Sequence, residues 1–161
     1  MTSQVAQVAI SEEDGMRASL YGLLGSLLFV APDQKILKSM QGLSGDETEM
    51  GQAFNTLAKL AAATDVRTAR EEYDGLFIGM GRGELLPYGS YYLTGFLNEK
   101  PLANLRDTMA RFGMTRASDV FEPEDNIAAL MEMMGGLITG RFAAPATLQV
   151  QKTFWNKHVG L

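Results

Sequence analysis

The sequence of 161 residues contains no cysteine and a single histidine, His158. Without thiols it can form neither disulfides nor thiolate metal sites, and a reducing compartment is allowed. One imidazole cannot build a histidine-rich zinc site, and any Ser-His-Asp arrangement would have to use this one residue. Positive charge is also in short supply. There are 14 Lys and Arg against 19 Asp and Glu, a formal net charge of −5. A diffuse acidic surface argues against nucleic acid, whose phosphates need a basic patch, and suits a basic partner instead. Long apolar runs are missing as well. The longest, LYGLLGSLLFVA over 20–31, is too short to span a bilayer, so no stable membrane insertion is expected. The first residues, MTSQVAQVAISEEDG, lack the basic start and apolar run of a secretory signal. The expected compartment is the cytoplasm. Alternating strand patterns, low-complexity linkers and internal repeats are all absent.

The apolar spacing that is present is helical. Ser11 can cap a first helix with Glu12, Glu13 and Asp14 in its first turn, and Met16, Leu20, Leu23, Leu24 and Leu27 follow at three- and four-residue steps. Asp33 opens a short second helix, and Met50, Phe54, Leu57 and Leu60 mark a third. A fourth carries Val66, Ala69, Tyr73, Leu76, Phe77 and Met80 on one face. Pro101 sits where a helix with the stripe Leu102, Leu105, Met109 and Phe112 begins, with Arg106, Asp107 and Arg111 outward and Gly113 ending it. The next helix is expected to start at Pro123, with Glu124 and Asp125 complementing its dipole and Ile127, Leu130, Met131, Met134 and Leu137 buried. A last helix starts near Thr147 and carries Val150, Phe154 and Trp155. The expected fold is all-α, a single-domain helical bundle over 1–161, with residues 1–10 a flexible start.

Three features could carry function. In LFIGMGRGELLPYGSYYLTG, over 76–95, the glycines Gly79, Gly81 and Gly83 follow a helix, whereas a dinucleotide fingerprint follows a strand and leads into a helix. A helix exit with an irregular connection is the plain reading. The alternative is a nucleotide-binding regulatory protein using Gly79–Gly83, for which weak guanine-nucleotide binding would be the sign. Tyr88, Tyr91 and Tyr92, after Pro87, suit either a seal over helix ends or a half-wet groove wall whose hydroxyls find partners. Glu122, Glu124 and Asp125 are good helix-start chemistry; the functional reading has Asp125 receiving a partner's arginine or lysine. Catalysis draws no support, since no nucleophile or metal set accompanies the carboxylates. The ten methionines are mostly core filler, though methionine also suits surfaces that accept varied apolar partners. His158 is assigned no role.

Three blocks, EEYDGLFIGMGRGELLPYGSYYLTG, KPLANLRDTMARFGM and FEPEDNIAALMEMMGGL, resemble the TorD/DmsD family of molybdoenzyme-maturation chaperones in order and spacing. The resemblance runs over roughly 16–158 and is strongest over 73–137. It implies an all-helical cytoplasmic chaperone without enzymatic activity and with no cofactor. Such a protein would bind the twin-arginine signal peptide or the apo-form of a molybdenum-cofactor enzyme, and hold it from export by the Tat pathway until cofactor insertion. It places the client surface on Tyr73, Leu76, Phe77, Pro87, Tyr88, Ser90, Tyr91, Tyr92, Glu122, Pro123, Asp125 and Asn126, beside the loop glycines. Two departures stand out. Asn126 occupies the position where the family has histidine. The chain also ends at FWNKHVGL where relatives continue through further helices, so an uncovered face and a helix-swapped homodimer are expected.

Overall fold

A computed structural model describes residues 10–81 and 83–160; of the expected flexible start, all but Ile10 lies outside the described residues. Those residues form helices α1 (Glu12–Phe29), α2 (Gln34–Gln41), α3 (Glu49–Ala63), α4 (Val66–Tyr73), α5 (Gly89–Thr94), α6 (Lys100–Arg111), α7 (Ile127–Thr139) and α8 (Leu148–His158). No strand is found among them, and the fold is all-α. The chain divides into two compact units, one of α1 with everything from Pro87 onward, the other Val30–Leu86.

The first unit is organised around α7. Glu132 is the only charged residue in its sequence IAALMEMMGGLIT, and burial reaches round most of the helix, from Ala128 to Ile138. A helix apolar on nearly every side belongs at the centre of a core. Leu130, Met133, Met134 and Leu137 pack with Leu102, Leu105 and Met109 of α6, Met114, and Phe154 of α8. Each such side chain contributes roughly 1.5–3 kcal/mol by leaving water. α1 lies along α7. Its Gly25 sits so close that an added Cβ would stand 3.3 Å from the Ala128 carbonyl oxygen. Tyr21 of α1 meets Trp155 of α8 with ring centroids 6.0 Å apart, and Arg17 Nη2 donates to Gln151 Oε1 at 2.8 Å.

Local grammar sets most helix starts. Asp33, Thr48, Asp65, Asn126 and Thr147 each accept a backbone N–H of the first turn. Pro101 lies in the first turn of α6, and Gly113, with φ of 67°, follows its end. One expected start is corrected. α7 begins at Ile127 rather than at Pro123, because Asn126 turns its side chain onto the Ala128 N–H at 2.9 Å. Pro123, Glu124 and Asp125 therefore precede the helix and are free to pair elsewhere. A helix for which no start was expected, α5, carries Tyr91 and Tyr92.

In the second unit α2 packs on α3, burying Leu37, Met40 and Ala61, and Gln41 Nε2 donates to the Ala61 carbonyl at 3.0 Å. The fourth helix is shorter than its apolar stripe suggested. α4 stops at Tyr73, and the chain widens into a π-helical turn over Asp74–Ile78 that ends on Gly79 in the left-handed region. Met80 thus falls beyond the helix and is fully exposed. Tyr73 and Phe77 meet with tilted rings, their centroids 4.9 Å apart. The glycine loop then folds back: Leu85 N donates to Leu76 O at 2.8 Å. A Cβ on Gly83 would lie 2.5 Å from the Phe77 carbonyl carbon. Backbone packing accounts for this glycine, and the nucleotide reading gains nothing from it.

Candidate functional site

Within the first unit, two segments 34 or more residues apart are joined edge to edge. Pro87–Ser90 and Asp125–Ile127 form an isolated antiparallel bridge, Tyr88 opposite Asn126. Ile127 N donates to Pro87 O at 2.8 Å and Gly89 N to Asp125 O at 3.0 Å. Asp125 Oδ2 accepts the Ser90 N–H at 2.7 Å. This last bond is a tertiary cap, since α5 has no side-chain cap of its own. The Tyr88 hydroxyl donates to Glu122. Burial first, and then this bond to a carboxylate, push the phenol up to about 12.

Glu124 is anchored differently. Its Oε2 accepts from Arg106 Nε at 3.1 Å and Nη2 at 2.8 Å. Burial pushes the Glu124 carboxyl up, but the guanidinium and the hydrogen bonds outweigh it and hold the group below its ordinary range. Arg106, read as a water-facing residue, is thus half of an ion pair whose acid is nearly buried.

The Glu122–Asn126 segment separates two cavities. Glu122, Pro123, Glu124 and Asn126 line one of about 440 Å³, whose apolar wall includes Phe29, Met109, Met114, Val120, Met133 and Phe142. That volume lies in the range of ligand pockets. Asp125 and Ser90 line a second, of about 90 Å³, with Leu93, Asn104, Lys157 and His158. Three methionines give the larger cavity an adaptable wall.

His158 is more than a terminal basic residue. It is 7% exposed, and its Nε2 lies 3.0 Å from Thr108 Oγ1. The Thr108 hydroxyl proton is committed to the Asn104 carbonyl at 3.0 Å. The imidazole therefore donates through Nε2. Burial, then the charge of Lys157, lower its pKa to about 4.

Of the residues singled out in the sequence, Pro87, Tyr88, Ser90, Glu122, Pro123, Asp125 and Asn126 come together here. Tyr91 is half-buried, and Tyr92 is exposed with its ring edge-on to Tyr91 at 5.8 Å. Tyr73, Leu76 and Phe77 belong to the second unit, together with Gly79, Gly81 and Gly83. Sequence reasoning missed Arg106, His158 and the cavity-lining Met109, Met114, Met133 and Phe142. A helical stripe gives no sign of which apolar residues border a void. Among the described residues no cluster of acidic or histidine side chains could hold a metal ion, and no helix is long and apolar enough to cross a membrane.

Comparison with known proteins places the chain. The family described as nitrate reductase delta subunit matches over residues 44–160. Among curated proteins, a chaperone protein TorD of Photobacterium profundum is 27% identical over 81% of this chain and 66% of its own length. One from Vibrio atlanticus is 27% identical over 86% of this chain and 71% of its own. One from Aliivibrio fischeri is 26% identical over 76% and 64%. The chain thus spans about two thirds of the length of these relatives. No solved structure matches it. The chain belongs to the nitrate reductase delta subunit family, with the TorD proteins among its relatives.

Proposed function

We propose that the protein is a cytoplasmic chaperone, not an enzyme, that holds a molybdenum-cofactor oxidoreductase before export. It would bind the client's twin-arginine signal peptide, its apo-form, or both. Family membership supports the chaperone role. The observation that carries the peptide reading is the junction itself: Tyr88, Glu122 and Asn126 meet beside a methionine-lined cavity of about 440 Å³. A twin-arginine signal joins guanidinium groups to an apolar, helix-prone segment. Carboxylates answer the first part and the adaptable cavity wall the second. The net charge of −5 adds long-range attraction for a basic peptide, so binding weakens with salt while its apolar part persists.

Calorimetric titration of a synthetic twin-arginine signal peptide tests this. Saturable binding is expected, weakened when the apolar segment is replaced by serine and weakened by Met133→Ser in the cavity wall. Equal affinity for all three combinations would overturn the assignment of the cavity.

A further inference from the structure

The strap that joins α6 to α7, residues 115–122, supplies part of the wall of the larger cavity. Thr115, Arg116, Ala117, Val120 and Glu122 all line it. Phe121 does not. It stands between two lining residues and is 88% exposed. A lone exposed phenylalanine is ordinary on a protein surface. This one borders an apolar void of about 440 Å³ that its ring does not enter.

The ends of the strap are fixed and its middle is not. At one end Met114 is buried, and its N–H donates to the Met109 carbonyl at 2.9 Å. At the other, Glu122 accepts the Tyr88 hydroxyl, and the buried Glu124 is paired with Arg106. Between these posts, among the described residues, 115–121 make one hydrogen bond, from Val120 N to Ala117 O at 3.2 Å. All of them but Val120 are exposed. A segment with so little burial and so few backbone bonds rearranges at low cost. Val120 and Glu122 already line the cavity while Phe121 meets water, so a twist of the strap about its own line brings the ring inward. Phe29, at the end of α1, is 57% exposed and also lines the cavity. It gives the mouth a second ring against which a guest can be held.

We propose that the strap is a movable wall of the larger cavity: when an apolar peptide segment is seated, Phe121 turns inward and closes over it, and this contact determines which guests are retained. The inference rests on the reading of that cavity as the seat of a client's apolar segment. It adds the residue that discriminates. A guest with a bulky apolar side chain at the mouth shares buried surface with the Phe121 ring, and one with a small or polar side chain there does not. Because the ring is in water before the guest arrives, the gain is made only in the complex. It therefore slows release and leaves encounter almost unchanged.

The test uses the whole chain and two probes, a synthetic twin-arginine signal peptide and the uncharged peptide N-acetyl-Leu-Leu-Ala-Leu amide. Phe121→Trp in a Trp155→Phe background gives the strap the only indole of the chain. Its emission should be that of a water-exposed ring in the free protein. On addition of either peptide it should move to shorter wavelength and lose its quenching by acrylamide. In stopped-flow measurements Phe121→Ser should speed release of the signal peptide about tenfold and change association by less than about twofold. Its urea midpoint should match that of wild type, since the ring is exposed without a guest. Phe121→Leu should keep most of the wild-type lifetime. Leu148→Ser, which removes an exposed apolar side chain at the start of α8, should change nothing. A signal peptide that binds while the indole stays in water, or that leaves Phe121→Ser at the wild-type rate, overturns the strap and leaves the client reading standing. An indole that is covered by the uncharged peptide while the signal peptide fails to bind does the reverse. If neither peptide moves the indole, the strap is not a movable wall.

Discussion

The neutral, buried His158 makes acid stability a quantitative test of the first unit's packing. In the unfolded chain this imidazole titrates near 6.5. In the folded protein, burial and the charge of Lys157 lower it to about 4. The native state therefore binds fewer protons than the unfolded state between those two values. Stability falls as pH drops from 6.5 toward 4, and the loss levels off below that. Integrating the two titration curves between pH 7.5 and pH 4.5 gives about 2.5 kcal/mol, by way of the 1.36 kcal/mol that one pKa unit represents. Carboxylates titrate over the lower part of this range too, so the assay is a difference. Urea unfolding of wild type is compared with His158→Gln, whose amide can still donate to Thr108. The variant should be less stable at pH 7.5, and its deficit should shrink by about 2 kcal/mol or more at pH 4.5. As His158 is the only histidine, its ring resonance can be followed directly by NMR. Parallel stability curves for the two proteins, or a ring titrating at 6.5 in the folded state, would refute the buried, Thr108-bound placement.

Three further outcomes follow from single contacts. Gly83→Ala drives a Cβ into the Phe77 backbone, 2.5 Å away, and should cost the protein about 1–3 kcal/mol in urea unfolding, as overpacking does. Arg106→Ala leaves the nearly buried Glu124 carboxylate unpaired. With Arg106 itself half exposed, the loss should be about 1–2 kcal/mol at pH 7. Because the pair holds the folded Glu124 carboxyl below its ordinary range, the loss should fade as pH falls through that lowered value. Tyr88 should ionise late, near 12. Ultraviolet titration of Tyr88→Phe should lose that late component. Because the folded value is raised above 10, whatever stability Tyr88 contributes is present below pH 10 and lost as pH rises toward 12.

The helices were legible in the sequence because their signals are local. Thr147, Asp33 and Pro101 announce helix starts through atoms no more than four residues away, and the stripe Leu102, Leu105, Met109 needs only the 3.6-residue period to reach a core. The TorD-like blocks were readable for the same reason, as an order of short motifs. Asn126 shows where local reading fails. Pro123, Glu124 and Asp125 satisfy every rule for a helix start, yet the helix opens at Ile127. Their backbone and side chains are engaged by partners remote in sequence: Asp125 by Gly89 and Ser90, Glu124 by Arg106. α5 was hidden likewise, because its cap arrives from Asp125, 35 residues away.

By itself, then, the sequence determined an all-α chain, its caps, its apolar faces, its acidic balance and its family. Each of these depends on composition or on neighbours within one or two helical turns. Tertiary structure alone decided which oxygen of the Asp125 carboxylate is used and which is left over, that the half-exposed Arg106 pairs with Glu124, and that His158 is neutral. It also decided that the Glu122–Asn126 segment stands between two cavities. Those outcomes depend on desolvation and on distances between groups brought together only by the closed core, and neither quantity is written in the spacing of residues along the chain.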